Sequence, residues 1–333
     1  VKEGAHRVTS LLRTMLLTTF FLELAGLLLL YPIFLRRADA PGAAWFDALF
    51  HSISAFCNAG FSTFSNSLES YSSSPLLVAT ICFLIFCGGI GFSAVYEMLR
   101  WLHNRLRRNK RIDRLSLHTM TVIQTSGLLI VFGFFAVLLG ADWSGRGAGD
   151  VFLSSLFQSI TPRTAGFNTI PLASIAPWCL TLIMILMFIG GAPGGTAGGV
   201  KVSTVALLFH SSRSLLKGRR HVEIRRRTIA QQTIMSAFVI SGLAVAYLAV
   251  AVVALVWAEP NLPFFDLLFE AISAFGTVGL SLGVTDQLSP WGKMIIMITM
   301  YIGRVGPLTV FLALMRKRDE ALYEYPAGSI IVS

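Results

Sequence analysis

The sequence predicts an all-α polytopic membrane protein built from one unit of about a hundred residues used three times. Three observations lead there. Hydrophobic residues make up 54% of the chain and charged ones only 13%, against roughly 25% charged in soluble domains. The Lys and Arg behind the net charge of +10 cluster between apolar runs, a pattern of membrane topology rather than of a nucleic-acid surface. Finally, one motif recurs as FHSISAFCNAGF at 50–61, FQSITPRTAGF at 157–167 and FEAISAFGTVGL at 269–280, with closing glycines at 60, 166 and 279. Internal repetition on that scale sets the architecture.

The elements follow in order. An apolar run at about 12–34 is long enough to span a bilayer, which takes roughly 20 helical residues. Glu23 lies in its middle and is expected to face protein and to have a partner, either as a structural carboxylate or near a permeation path. Trp45 to Phe56 is too short to span and ends in Cys57-Asn58-Ala59-Gly60-Phe61; a Ser/Asn-rich loop then leads to one long apolar segment at about 75–99. A short helix followed by a glycine-bearing stretch between two spans reads as a re-entrant pore loop, because bare backbone at membrane depth is tolerated where it lines a watery path. An extramembrane amphipathic helix with a turn is the alternative for a single copy, and threefold repetition disfavours it.

The second unit repeats the plan with a span at about 117–140, a short helix at about 150–161 and a long segment from about 177. The third has a span at about 229–257, a short helix at about 264–275 and a final span at about 288–315. The expected divisions are therefore 1–110, 111–227 and 228–318, with a cytoplasmic tail at 319–333. Basic clusters at Arg100–Arg114, Arg213–Arg227 and Arg316-Lys317-Arg318 each follow the second span of a unit. The positive-inside rule makes those ends cytoplasmic, so all three pore loops enter from outside.

A pore helix that stops partway across the membrane aims the negative end of its dipole at the midplane, where it attracts a cation. The backbone that follows can offer carbonyls in place of a hydration shell. The expected filter is thus Asn58, Ala59, Gly60, Thr164, Ala165, Gly166, Thr277, Val278 and Gly279 around a central ion pore. Asp47 and Asp266 are expected near the N-termini of their pore helices, as helix stabilisers rather than ion ligands.

Two features break the repeat. The segment at about 177–212 would be roughly 54 Å long as one helix, too long for a simple span. Its centre carries Gly190, Gly191, Gly194, Gly195, Thr196, Gly198 and Gly199 around Pro193, a composition that breaks a helix into a loop at membrane depth. The phosphate-loop pattern GxxxxGK[ST] fails there, because Val200 separates Gly199 from Lys201. The second feature is Arg304, inside the last span and about twelve residues before Arg316. It is expected to face the bundle interior, either as a barrier in the ion path or paired with a buried carboxylate such as Glu23.

These three motifs, the glycine-rich break and Arg304 closely resemble the Trk/Ktr/HKT superfamily of potassium transporters, most nearly the bacterial Trk/Ktr membrane subunit, from near residue 10 to the C-terminus. The resemblance implies gated K⁺ uptake, with Na⁺ as an alternative cargo and no cofactor in the chain. It implies a homodimer with one pore per protomer in the bacterial inner membrane, a cytosolic nucleotide-binding regulatory ring of the RCK type, lipid around it and no nucleic acid. It makes Gly190 to Gly199 an intramembrane gate with which Arg304 works. The family has four units where this chain has three, so a further unit is expected before residue 1. A secondary transporter of another class would instead show inverted repeats, whereas these three share one orientation. An enzyme would need convergent groups, and the six histidines are scattered.

Overall fold

The computed structural model describes residues 2–36, 40–106, 114–219, 221–306 and 309. Arg316, Lys317, Arg318, the tail at 319–333, Arg220 and the basic stretch 107–113 lie outside the described residues.

Each unit opens with one long helix: α1 (Lys2–Leu35), α5 (Leu117–Gly140) and α9 (Gln231–Ala258). Within these, Leu12–Leu35, Leu117–Gly140 and Gln231–Ala258 are long and apolar enough to cross a membrane. Each is followed by a short helix: α2 (Pro41–Phe56), α6 (Ala148–Ile160) and α10 (Phe264–Gly276). At 13 to 16 residues these are roughly 20–24 Å long, short of a full crossing.

The second span differs in every unit. In the first, the single expected segment at 75–99 is two helices, α3 (Pro75–Gly89) and α4 (Phe92–Leu106), bent by 112°. Gly88, Gly89 and Gly91 cluster at the bend, where helix propensity is weakest, and Gly91 takes φ +86°. In the second unit α7 (Pro177–Phe188) and α8 (Val202–Leu216) flank the glycine-rich loop, as expected. A two-stranded hairpin, β1 (Glu223–Ile224) and β2 (Arg227–Thr228), then leads into α9. In the third, α11 (Pro290–Val305) runs unbroken to Gly306. Prolines 41, 75, 177 and 290 open α2, α3, α7 and α11, where the missing amide proton costs nothing.

Small residues let the helices approach closely, the usual basis of packing in lipid. Gly26 of α1 lies against Ser52 of α2 and Leu84 of α3, and Gly133 of α5 lies against Ser159 of α6 and Leu186 of α7. The two contacts are the same contact, one repeat apart, since Ser52 and Ser159 both stand two residues after the opening aromatic. The opening and closing aromatics of the middle motif, Phe157 and Phe167, are buried in a cluster with Phe34, Phe56 and Leu77 of the first unit. That cluster joins the first two units.

Candidate functional site

The three motif ends meet. A Cβ on Gly60 would lie 2.6 Å from the carbonyl oxygen of Ala165 and 2.9 Å from Gly166 Cα. One on Gly166 would strike the carbonyl oxygen of Val278 and lie 3.1 Å from Gly60 Cα, while Gly279 stands 3.8 Å from Gly166 Cα by the same measure. Gly166 therefore lies between Gly60 and Gly279; a side chain would clash at Gly60 and Gly166, whereas at Gly279 it is the positive φ that favours glycine.

Their backbones match as well. Gly60, Gly166 and Gly279 have φ of +74°, +81° and +91°, and two residues earlier Asn58, Thr164 and Thr277 have φ of +50°, +76° and +52°. Non-glycine residues rarely take such angles, so three at equivalent positions mark a built conformation. In the first and third copies the residue before the glycine donates its N–H five residues back, Ala59 to Ser54 and Val278 to Ser273, each at 2.9 Å. The middle copy is one residue shorter, and Ala165 N–H donates to Thr161 carbonyl, four residues back, also at 2.9 Å. A side-chain hydroxyl braces the end of two copies: Ser54 Oγ donates to Phe61 carbonyl at 2.8 Å and Thr161 Oγ1 to Phe167 carbonyl at 2.6 Å.

The glycine-rich loop, Ile189 to Lys201, lies against one side of this ring. Its two ends pair, with Gly190 N–H donating to Val200 carbonyl at 2.9 Å. Thr196 Oγ1 lies 3.1 Å from the side-chain amide of Asn58 and donates to Phe56 carbonyl at 3.2 Å. Gly198 sits against the hydroxyl of Thr277. The Arg304 guanidinium donates to the carbonyl of Thr196, and Gly199 N–H donates to Gly303 carbonyl at 3.3 Å. Arg304 is thus tied to the loop, and the alternative pairing with Glu23 does not occur.

A cleft of about 640 Å³ runs beside the first and third motif ends, bordered by Asn58, Phe61, Thr277, Gly279, Met300 and Arg304 among others.

Several residues were missed by, or differ from, the sequence reading. Arg163, between the middle pore helix and its filter, is buried; its guanidinium donates to Ser126 Oγ at 3.0 Å and reaches the Gly190 carbonyl at 3.5 Å. Lys201 donates from Nζ to Ala197 carbonyl at 2.7 Å, a second cation pinning the loop. Asp47 is not in the first turn of its helix, because α2 starts at Pro41 rather than near Trp45; its carboxylate accepts from Thr63 Oγ1 at 2.8 Å. Asp266 does lie in the first turn of α10. Glu23 is half-buried, and among the described residues no hydrogen bond or ion pair reaches its carboxylate, contrary to the expected partner. Its backbone carbonyl accepts from Ser52 Oγ at 2.6 Å.

Residues 2–324 match the model of a family described as TrkH, cation transport protein. The chain belongs to the TrkH family of cation transport proteins. It is 34% identical over 329 residues to Ktr system potassium uptake protein B of Bacillus subtilis, covering 97% of this chain and 71% of that protein. It is 37% identical over 309 residues to the protein of the same name from Vibrio alginolyticus, covering 90% of this chain and 66% of the relative. The fold resembles the crystal structure of the potassium transporter TrkH from Vibrio parahaemolyticus with a TM-score of 0.74 at 20% identity, over 93% of this chain and 65% of that one. This TrkH-family chain is accordingly a multi-pass membrane protein of transporter type.

Proposed function

We propose that the protein conducts K⁺ into the cell through a filter formed by Asn58-Ala59-Gly60, Thr164-Ala165-Gly166 and Thr277-Val278-Gly279. The observation that carries this reading is the convergence of three glycines of like backbone angle. A chain whose φ alternates in sign departs from the strand pattern that sends successive carbonyls to opposite faces, so its oxygens can gather toward one axis. Three pore helices stop at that level, each aiming a dipole C-terminus at the ion. The names of the relatives supply the ion.

The loop from Gly190 to Gly199 is read as the gate, with Gly191, Gly194, Gly195, Thr196 and Gly198 as its moving backbone and Arg304 as its latch and charge barrier. The units are taken as 1–110, 111–227 and 228–318. The basic clusters support a cytoplasmic loop side, and the family resemblance a bacterial inner membrane. A homodimer with a cytosolic nucleotide-binding regulator of the RCK type completes the reading, on the family resemblance. The end of α8 offers that regulator a surface, with Leu215 and Leu216 fully presented beside Arg219.

The test is uptake of radioactive Rb⁺ into proteoliposomes with Na⁺ as competitor. Saturable Rb⁺ uptake that Na⁺ competes with poorly is expected. Uptake that is absent, or equally inhibited by Na⁺, refutes the potassium filter.

A further inference from the structure

The residue after the opening aromatic is polar and buried in all three copies: His51, Gln158 and Glu270. Their surroundings differ. Both ring nitrogens of His51 are used, Nδ1 against Asp47 carbonyl at 2.7 Å and Nε2 against Ser62 Oγ at 2.9 Å. Gln158 is enclosed with neither amide atom partnered.

Glu270 is only 6% exposed. One carboxylate oxygen, Oε1, accepts from Thr285 Oγ1 at 2.6 Å, and the other, Oε2, is buried with no partner. Among the described residues no ion pair reaches Glu270, so no basic side chain there lies in salt-bridge contact with its carboxylate. A carboxylate withdrawn from water without a counter-charge is costly, and such groups in membrane proteins mark ion paths.

The position fits a path. Glu270 borders the same cleft as Thr277, Gly279 and Arg304. It stands six residues before Gly276, so roughly 9 Å up the helix axis from the foot of the filter. Its anchor Thr285 opens the short turn Thr285–Gln287 that follows the filter in the chain. With the pore loops read as entering from outside, the carboxylate flanks the outer part of the filter, and Arg304, tied to the glycine-rich loop, belongs to the inner part.

We infer that Glu270, held by Thr285, sets the cation affinity of the filter, and that the counter-charge completing its site is the permeating ion itself. This rests on the filter reading above. A fixed negative charge beside a narrow path raises local cation occupancy. It acts on binding, whereas Arg304 acts on passage.

The experiment is Rb⁺ uptake kinetics with Ba²⁺ as blocker, on the reconstituted protein and its E270Q and T285K variants. Gln is near isosteric, and the middle copy already carries an amide there. The expected result for E270Q is a KM about ten times higher with the maximal rate per folded protein within about twofold. Because electrostatic energy scales with ion charge, the Ba²⁺ inhibition constant should rise by about the square of that factor. T285K supplies a fixed cation beside an intact Glu270 and should raise KM similarly by a different route. An unchanged KM in either folded variant overturns the inference, as do equal factors for Rb⁺ and Ba²⁺, which would mark a steric effect. Wild-type protein without saturable Rb⁺ uptake would instead refute the filter reading beneath it.

Discussion

Replacing Arg304 with Gln removes two restraints on the ion path at once. The guanidinium donates to the Thr196 carbonyl, and such a charge-assisted bond contributes about 1.5–3 kcal/mol. Its loss shifts the loop toward its withdrawn position by roughly ten- to a hundredfold. The positive charge also repels a cation about 8 Å away by roughly 2 kcal/mol at an effective dielectric of 20. Both changes favour flux. Arg304→Lys keeps the charge and one donor, so it should stay slow. The measurement is Rb⁺ flux per folded protein in proteoliposomes, with a thermal melt on the same preparation. With no carboxylate partner among the described residues, the Gln variant should melt within a few degrees of wild type. A Gln variant that is markedly less stable and no faster would refute both latch and barrier.

Gly166→Ser should weaken the preference for Rb⁺ over Na⁺ more than Gly279→Ser does, because a Cβ at Gly166 strikes the Val278 carbonyl while one at Gly279 meets only Gly166 Cα at 3.8 Å; paired Rb⁺ and Na⁺ uptake decides it. Thr196→Val removes the hydroxyl that lies against Asn58 and Phe56 and should raise basal flux a fewfold with little loss of stability, whereas deleting Gly194–Gly198 should raise flux and also lower the melting temperature; unaltered flux in both, in folded protein, would end the gate assignment. Gly133→Leu overpacks the α5–α6 crossing against Ser159 and should cost about 1–3 kcal/mol in a denaturant titration; a neutral result would mean that the crossing is looser than the structure has it.

The repeat was legible because its chemistry is local. An aromatic, a short apolar helix and a closing glycine fix a pore loop wherever they occur, so the three short helices begin and end within a few residues of expectation. The loop at 190–199 was legible for the same reason, six glycines in one stretch being incompatible with a helix. The bend between α3 and α4 was not. Three glycines at 88, 89 and 91 are the same signal in weaker form, but the flanking apolar run is long enough to span, and hydropathy does not register a turn. Pairings across the bundle were out of reach altogether. Nothing local ties Arg163 to Ser126 or Arg304 to Thr196, 108 residues apart. Opposite charge made Glu23 a natural partner for Arg304, but a backbone carbonyl of the loop took the guanidinium instead.

That unforeseen bend and the gate loop hold each other's polar groups. Thr196 N–H donates to Gly88 carbonyl at 3.1 Å, Ala192 N–H to Gly89 carbonyl at 2.7 Å, and Phe92 N–H to Gly194 carbonyl at 3.2 Å. In an unbroken helix Gly88 carbonyl would accept from Phe92 N–H, four residues on. The same two groups thus have two complete ways of being satisfied, one shared with the loop and one with each other. Withdrawing the loop alone would strand bare carbonyls at membrane depth, at several kcal/mol apiece. Straightening α3 into α4 takes them back, so the loop and α4 form a single exchange of partners, and on the gate reading proposed above a pull on α4 would be felt at the loop.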